Sequence, residues 1–380
     1  MQLLKLVQSK VQVGVPLPWN VRNSEGSLLL ARGHVIQDEQ QLETLLDRGA
    51  YVDAEEVKAL ARAAAGGSAI MTPKLPPSLF ELWEQAVTRL EALLKTAGQE
   101  PGFVDNIHAL ATDIAALIER DADIGIYTTV RQEKNKHFYY GYTHSVHTAL
   151  MGTLMARRMG WPEDQILTLI KAALTMNITI VELQGRMAPQ DTPVLDKQRA
   201  QIRNHPAAGA ELLKKAGVAD EEWLTAVAQH HERADGTGHP AGMTTPSPMA
   251  QALRMADVFM AKITPRIIRP ALTTQEAARQ MFREDKGGPM SMAIIKEFGI
   301  YPPGDFVKLK SGELAVVVRR SANANAPMVA SVTDAGGHSI VSTVRRDTSD
   351  PTYAIAGTVA DKSPLMRMPP ERLYGLSLGA

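Results

Sequence analysis

Residues 229–242 read QHHERADGTGHPAG, two adjacent histidines and an acid followed by a glycine-punctuated turn. Neighbouring residues on a helix point about 100° apart, so His230 and His231 do not share one core direction. That arrangement suits one wall of a metal site, provided other segments supply the opposite wall. His144, His205 and Asp257 fall on separate expected helices, and a bundle aims side chains from several helices at one interior point. Imidazole nitrogen and carboxylate oxygen suit Zn, Fe, Mn or Ni. A single histidine on an amphipathic helix is more often a hydrogen-bonded structural residue, so spacing alone leaves both readings open.

The helices around this stretch are legible from periodicity. SLFELWEQAVTRLEALLKTAG places Leu79, Leu82, Trp83, Ala86, Leu90 and Leu93 along one helical face. GFVDNIHALATDIAALIERDADIG repeats the pattern, and further helices are expected at 143–160, 163–183, 197–216, 220–232, 248–264 and 274–285. RDADIGIYTTVRQEKNK, residues 120–136, mixes acids and bases and reads as a solvated connection between helices. Upstream, VQVGVPL and SLLLARGHVI read as short strands, and DEQQLETLLDRG as a helix with Asp38 as N-cap and Gly49 as its stop. Downstream, DFVKLKSGELAVVVRRS, APMVASVTDAGG and STVRRDT are short, β-branched and punctuated by turn residues. The expected architecture is multidomain and mainly α. It comprises an N-terminal α+β module (1–62), a linker (63–78), a helical segment (79–136), a central helical bundle (137–300), a small β-barrel or curled sheet (301–360) and a tail (361–380).

Bulk composition narrows the function classes. The 41 basic and 41 acidic side chains cancel, which argues against a nucleic-acid footprint or a polybasic membrane patch. The absence of cysteine excludes disulfides, thiolate metal sites and cysteine nucleophiles. No apolar run is long enough to span a bilayer, and the first residues, MQLLKLVQSK, lack the core of a signal peptide. A cytoplasmic location is the expectation. The 17 methionines read as gap-filling core.

Five stretches occur in an order and at intervals that resemble one family: THSVHTALMGTLMARRMGW, RNHPAAGAELL, QHHERADGTGHPAG, LRMADVFMAKITPRIIRPALTTQEA and FGIYPPGDFVKLKSGELAVVV. The chain resembles, over roughly 137–320, the HD-GYP branch of the HD superfamily of metal-dependent phosphohydrolases, bacterial proteins that linearise and hydrolyse cyclic di-GMP. The resemblance implies an HD-type helical bundle. It makes His144, His205, His230, His231 and Asp257 metal ligands, and Gly238-His239-Pro240 the counterpart of a Gly-Tyr-Pro loop associated with GGDEF-domain cyclases. It places Arg266 and Arg269, with the Asp235-Gly236 turn, near substrate phosphates.

The departures from the family pattern fall on its signature. The His-Asp dyad and the following lysine should lie in IKAALTMNITIVEL, residues 170–183, where Met176, Asn177 and Ile180 stand instead. An asparagine offers a neutral carbonyl oxygen where a carboxylate would balance two divalent cations. A thioether is a soft ligand, and an isoleucine makes no charged contact with phosphate. Tyr140, where some members carry a glutamate for a third metal, is no carboxylate either. The expectation is therefore no intact dinuclear centre, with no ion or one divalent ion retained, since three or four N/O ligands suffice for one zinc. The implied role is a non-catalytic signalling protein that binds GGDEF-domain cyclases, response regulators or cyclic di-GMP, with homodimerisation through the helices at 79–120 as a further expectation. The alternative is a phosphodiesterase working with a mononuclear site. The retained HHExxDGxGxP pattern argues against the related HDOD-type domains.

Overall fold

The computed structural model describes residues 3–6, 11, 13–36, 39–47, 49–58, 77–131, 137–267, 271–359 and 368–375. The chain divides into two compact units, one made of residues 1–76 with 378–380 and one spanning 77–377.

The first unit carries a four-stranded antiparallel sheet in the order β1 (Leu3–Lys5), β4 (Tyr51–Asp53), β2 (Val21–Arg22), β3 (Leu28–Leu30), with helix α1 (Glu39–Asp47). Val21, Trp19, Ile36, Leu42 and Val52 form its small core. Gly49, with φ +76°, takes the left-handed conformation that ends α1, its N–H reaching the Leu46 carbonyl. The expected N-cap, Asp38, and most of the expected linker lie outside the described residues.

In the second unit, Ser78 starts helix α2 (Leu79–Lys95) with a capping box: its hydroxyl accepts from the Glu81 N–H and the Glu81 carboxylate accepts from the Ser78 N–H. Helix α3 (Phe103–Arg120) packs antiparallel to the same layer, and the buried faces of α2 and α3 lie in this unit's own core. Those faces pack within the one chain.

The segment 120–136 is corrected. It holds helix α4 (Ala122–Arg131), whose Ile124, Gly125, Ile126, Tyr127 and Thr129 are buried; residues 132–136 lie outside the description. Its glycine permits close approach: a Cβ on Gly125 would stand 2.9 Å from the Trp83 ring and 3.1 Å from Leu150. The acid-base mixture misled because the charged residues cluster at the ends of a short buried helix.

Helix α5 (Tyr140–Arg158) is buried nearly all round, from Tyr140 to Ala156, and is the axle of the bundle. Around it lie α6 (Glu163–Thr175), α7 (Val181–Met187), α8 (Asp196–Lys215), α9 (Glu221–Gln229), α10 (Pro248–Ile263), α11 (Thr274–Glu284) and α12 (Pro289–Phe298). The single helix expected over 163–183 is broken at 176–180. There Ile178 and Ile180 donate to carbonyls three residues back, Thr175 and Asn177. The β-branched run Ile178-Thr179-Ile180-Val181 and Asn177 lower the helical propensity of that stretch.

The C-terminal strands form an open five-stranded antiparallel sheet, not a closed barrel, in the order β8 (Ser339–Asp347), β7 (Met328–Thr333), β6 (Leu314–Arg319), β5 (Phe306–Leu309), β9 (Ile355–Thr358). No pairing joins β8 to β9 among the described residues. Closure is unnecessary because both faces are already covered. Phe306, Val316, Val318, Ala330 and Val332 enter the bundle core, while Val307, Leu309, Ala315, Val317 and Val329 form a second cluster against Tyr301, Tyr353 and Ile355. This is why 315–318 reads as an unbroken apolar run, AVVV. At the end of β6, Arg320 bridges Asp123 of α4 and Glu297 of α12, reaching the latter's carboxylate at 2.9 Å. In the tail, helix α13 (Pro370–Tyr374) docks by Tyr374 against Phe80 and Tyr127, with ring centroids 5.2 and 5.4 Å away.

Truncating the bridging cation leaves the nearly buried Asp123 carboxylate without its guanidinium, while Glu297 keeps Arg158. Arg320→Ala is expected to lower the unfolding free energy by about 3 kcal/mol in urea denaturation. A loss below ~0.5 kcal/mol would show that the bridge is a bystander.

Candidate metal centre and cavity

Three helices and one turn bring the candidate ligands together. His205 sits in α8, His230 caps the C-terminus of α9, and His231 follows it out of the helix. The end of α9 at Gln229, short of the expected 232, is what turns two adjacent histidines toward one place. Trp223 of α9, fully buried, donates its indole N–H to the Thr175 hydroxyl at 2.8 Å and ties this helix to the broken segment 176–180.

The tautomers of His205 and His230 are dictated by their surroundings. Nδ1 of His205 lies 2.6 Å from the Ile202 carbonyl, and Nδ1 of His230 lies 2.6 Å from the Val227 carbonyl. A carbonyl only accepts, so each Nδ1 donates and each neutral ring keeps a bare lone pair on Nε2. Those two Nε2 atoms stand 3.0 Å apart. Two lone pairs at that distance repel unless a cation lies beside both. A ligand atom of His231 joins them, and the three donor atoms lie within 4.8 Å of one another. Burial, with His231 second, pushes the His205 pKa down to about 3. Burial likewise holds His230 well below the usual imidazole range and lowers His231. The rings are therefore neutral at pH 7, the form that binds metal. The carbonyl bonds at Nδ1 are the outer support that metal-bound histidines ordinarily have. The donor set fits a divalent ion held by His205, His230 and His231, an ion that would supply Lewis-acid polarisation of a bound oxygen.

His144 and Asp257 form a separate pair. His144 Nε2 lies 2.7 Å from Asp257 Oδ1, both side chains nearly buried. Burial disfavours the Asp257 carboxylate, but the His144 hydrogen bond together with the electrostatic influence of His144, His231 and His230 outweighs it and holds the acid below the usual range. Nε2 of His144 is thus engaged as a donor to an anion. The five candidate ligands divide into a bare three-imidazole cluster and an acid-imidazole pair in which the buried His144 Nδ1 has no hydrogen-bond partner among the described residues.

Both groups border a cavity of about 300 Å³. His144, Asn177, Ile180, His205, His231 and Asp257 line it, and Arg266 stands at its edge. Met176 is fully buried and is not among the lining residues. Arg266 donates from Nε and Nη2 to the Tyr140 hydroxyl, at 2.9 and 2.6 Å, and Tyr140 stacks in parallel on His144 with centroids 5.8 Å apart. Arg269 lies outside the described residues.

The turn after the histidine pair does not reach the cavity. Asp235 is exposed, accepts from the Thr237 N–H and hydroxyl, and pairs with Arg233 at 3.0 Å; these contacts depress its pKa strongly. Gly236, with φ +73°, completes the same turn. His239 packs on His231 with centroids 4.7 Å apart and donates from Nδ1 to the Arg203 carbonyl, while Pro240 follows through a cis peptide bond. Gly238 is required by contact: a Cβ there would stand 2.5 Å from the Glu232 Cα and 2.4 Å from the Arg233 nitrogen.

Three side chains that sequence reasoning passed over help to build the site. Glu232, buried, accepts the Ala241 and Met243 N–H groups at 2.6 and 3.1 Å and pins the loop 233–243. Its place inside the quoted motif was the available signal. His147, one turn past His144, is fully desolvated, and that burial, with His144 nearby, pushes its pKa down to about 3. The Gln184 amide lines the cavity, and its Oε1 has no hydrogen-bond partner among the described residues.

Residues 131–287, which include every one of these ligands, match the family described as HD domain. The chain therefore carries a segment that matches the HD domain family. It is 29% identical over 230 residues to cyclic di-GMP phosphodiesterase PA4108 of Pseudomonas aeruginosa, a match covering 57% of this chain and 53% of that protein. It is 27% identical over 142 residues to a cyclic di-GMP phosphodiesterase of Vibrio cholerae, covering 34% of this chain and 28% of that one. The matched region thus spans about half the length of the first relative and less of the second. Among solved structures, Bd1817, an HDG"Y"P protein from Bdellovibrio bacteriovorus, is similar with a TM-score of 0.48 and 17% identity, over 78% of this chain and 99% of that one. Among the described residues of the HD domain and its neighbours, no helix is long and apolar enough to cross a membrane.

Two expectations follow from the site. His147 and His205 titrate near pH 3 when folded but near 6.5 when unfolded, so the unfolded chain binds more protons between those values. Metal-free protein should be fully stable above pH 6.5 and lose up to about 1.4 kcal/mol per pH unit per histidine as pH falls. Urea midpoints from pH 7 to 4.5 would test this; His147→Phe should reduce the slope, and an unchanged slope would contradict the assignment. Glu232→Ala removes the charged acceptor of two loop N–H groups and should cost about 2 kcal/mol in the same measurement.

Proposed function

We propose that this protein is of the HD-GYP type, acts by binding and does not efficiently hydrolyse cyclic di-GMP. The observation that carries this reading is the wall of the cavity formed by Asn177 and Ile180, which presents a neutral amide and an aliphatic side chain beside the histidines. The one carboxylate on that cavity, Asp257, is engaged by His144. A paired divalent centre would bring four positive charges to that single negative one, in a buried setting where uncompensated charge is expensive. Met176, buried away from the cavity, adds no donor to it.

The bundle does not need the dyad to fold, because its stability resides in the apolar faces packed around α5. A scaffold of this kind remains available for signalling, through GGDEF-domain cyclases, response regulators or cyclic di-GMP held without turnover. His239 at the tyrosine position of the partner loop changes its chemistry: an imidazole tied to the Arg203 carbonyl stands where an aromatic anchor is implied.

The second reading is a phosphodiesterase working with one metal ion, and the convergence of His205, His230 and His231 favours it. The two readings part on stoichiometry and product. Protein purified without an affinity tag should contain one divalent ion or none by plasma mass spectrometry, and should release no linear product from cyclic di-GMP. Two Fe or Mn per chain with turnover would overturn the proposal; one ion with turnover would establish the second reading. Asn177→Asp restores an anion beside the histidines and is expected to tighten Zn(II) binding by about tenfold, measured by competition with a chromogenic chelator.

A further inference from the structure

The cavity that Asn177 and Ile180 leave behind has its own chemistry, and it is not that of a dinucleotide pocket. Part of its lining is aliphatic, with Ile180, Leu183 and Met187 from the 176–187 segment, Ile202 from α8, and Val258 and Ala261 from α10, beside the polar side chains of Tyr140, Asn177 and the histidines. Its charges are few. Lys262 is neutralised by Glu284 at 3.2 Å and bonded to Gln280 at 2.8 Å. Asp257 is satisfied by His144. Arg266 is held by the neutral Tyr140 hydroxyl and pairs with no carboxylate among the described residues. Beside the histidines and the Asp257–His144 pair, the lining thus joins one guanidinium without a carboxylate partner among the described residues to an aliphatic stretch, with an unpartnered Gln184 carbonyl oxygen on its wall.

The inner chamber, open on one side, matches a small ligand in size. An apolar cavity of about 150 Å³ holds a benzene, so a chamber of about 300 Å³ encloses roughly a dozen heavy atoms. A cyclic dinucleotide, with two bases, two sugars and two phosphates, exceeds that several-fold and brings two negative charges to a single free guanidinium.

We propose that this cavity binds an amphipathic monoanion, in chemical class a medium-chain carboxylate, with its head at Arg266 and its chain along Ile180, Leu183, Met187, Ile202 and Val258. The proposal rests on the non-hydrolysing reading above and narrows it: the interior belongs to a small amphiphile, and protein partners are left to the outer surface. Ile180 is the residue that determines specificity. Where a lysine would draw phosphate into the chamber, an isoleucine repels charge and welcomes methylenes. The three-imidazole cluster plays no part in recognising the chain, so binding should not depend on metal.

The test is calorimetric titration of the full-length, metal-free protein with sodium acetate, butanoate, hexanoate, octanoate and decanoate, and with cyclic di-GMP. Affinity should rise about three- to fourfold per added methylene from butanoate to octanoate, then level off as the chamber fills. Arg266→Gln should weaken octanoate by about tenfold while preserving the dependence on chain length. Ile180→Lys should flatten that dependence. If that variant unfolds, as a melting curve would reveal, Ala261→Phe serves in its place by filling the chamber and stopping the rise at a shorter chain. A flat series, a slope indifferent to these substitutions, or tighter binding of cyclic di-GMP than of octanoate would each overturn the proposal. Incubation of cyclic di-GMP with the metal-loaded protein, read by chromatography, separates the two inferences. Product formation would remove the non-hydrolysing reading whatever the carboxylates do, while a flat series without product would remove this proposal alone.

Discussion

Everything in the helical unit is arranged around a helix with no solvent side. From Tyr140 to Ala156 the α5 helix is enclosed, yet it carries tyrosines, histidines, threonines and a serine among its aliphatic residues. Its polar groups can be partnered only from inside the protein, and several are, although Tyr142 Oη, His144 Nδ1, Ser145 Oγ and Thr148 Oγ1 have no partner among the described residues. Thr153 bonds back to the Ala149 carbonyl, and His144 takes Asp257 from α10. Tyr140 takes Arg266 from the segment beyond α10. These partners arrive from different parts of the chain, and the order in which α7, α8 and α10 surround the axle follows from that requirement as much as from apolar area. Close approach is built in as well: a Cβ on Gly141 would lie 2.5 Å from the Val181 carbonyl oxygen, so α7 rests directly against the start of α5.

Much of this was visible in the residues. Periodicity located the long helices because their apolar stripes repeat over several turns, as on α2 and α3. The break at 176–180 was missed because apolar residues continue through it, and the stripe alone does not register a change in backbone path. The buried α4 was missed for the opposite reason: a ten-residue helix with charges at its ends carries too little pattern to outweigh its polar appearance. The C-terminal strands were recognised, but closure into a barrel depends on what covers each face. The two clusters that cover them draw on residues far apart in the chain.

The candidate site was legible to a different depth. Residue type and order singled out the five possible ligands, but not their division into two groups. That division depends on which nitrogen of each imidazole is already spent, and on the carbonyls of Ile202 and Val227 that decide it. The resemblance places Asp235 near substrate phosphates; in the fold it caps its own loop, a use of aspartate that short-range sequence does not distinguish. Glu232 shows the converse. Its two accepted backbone bonds are what allow its charge to be buried.

The double-faced C-terminal sheet carries one more implication, concerning modularity. The HD match ends at residue 287, yet Phe306, Val316, Val318, Ala330 and Val332 are part of the bundle's own core. Arg320 then fastens that sheet to α4, which precedes most of the matched region. The boundary drawn by family resemblance is therefore not a boundary of cooperative folding. A recombination event that exchanged only the matched segment would strip the bundle of one wall. The sheet and the helices should accordingly be inherited together, as a single evolutionary unit larger than the domain that gives the family its name.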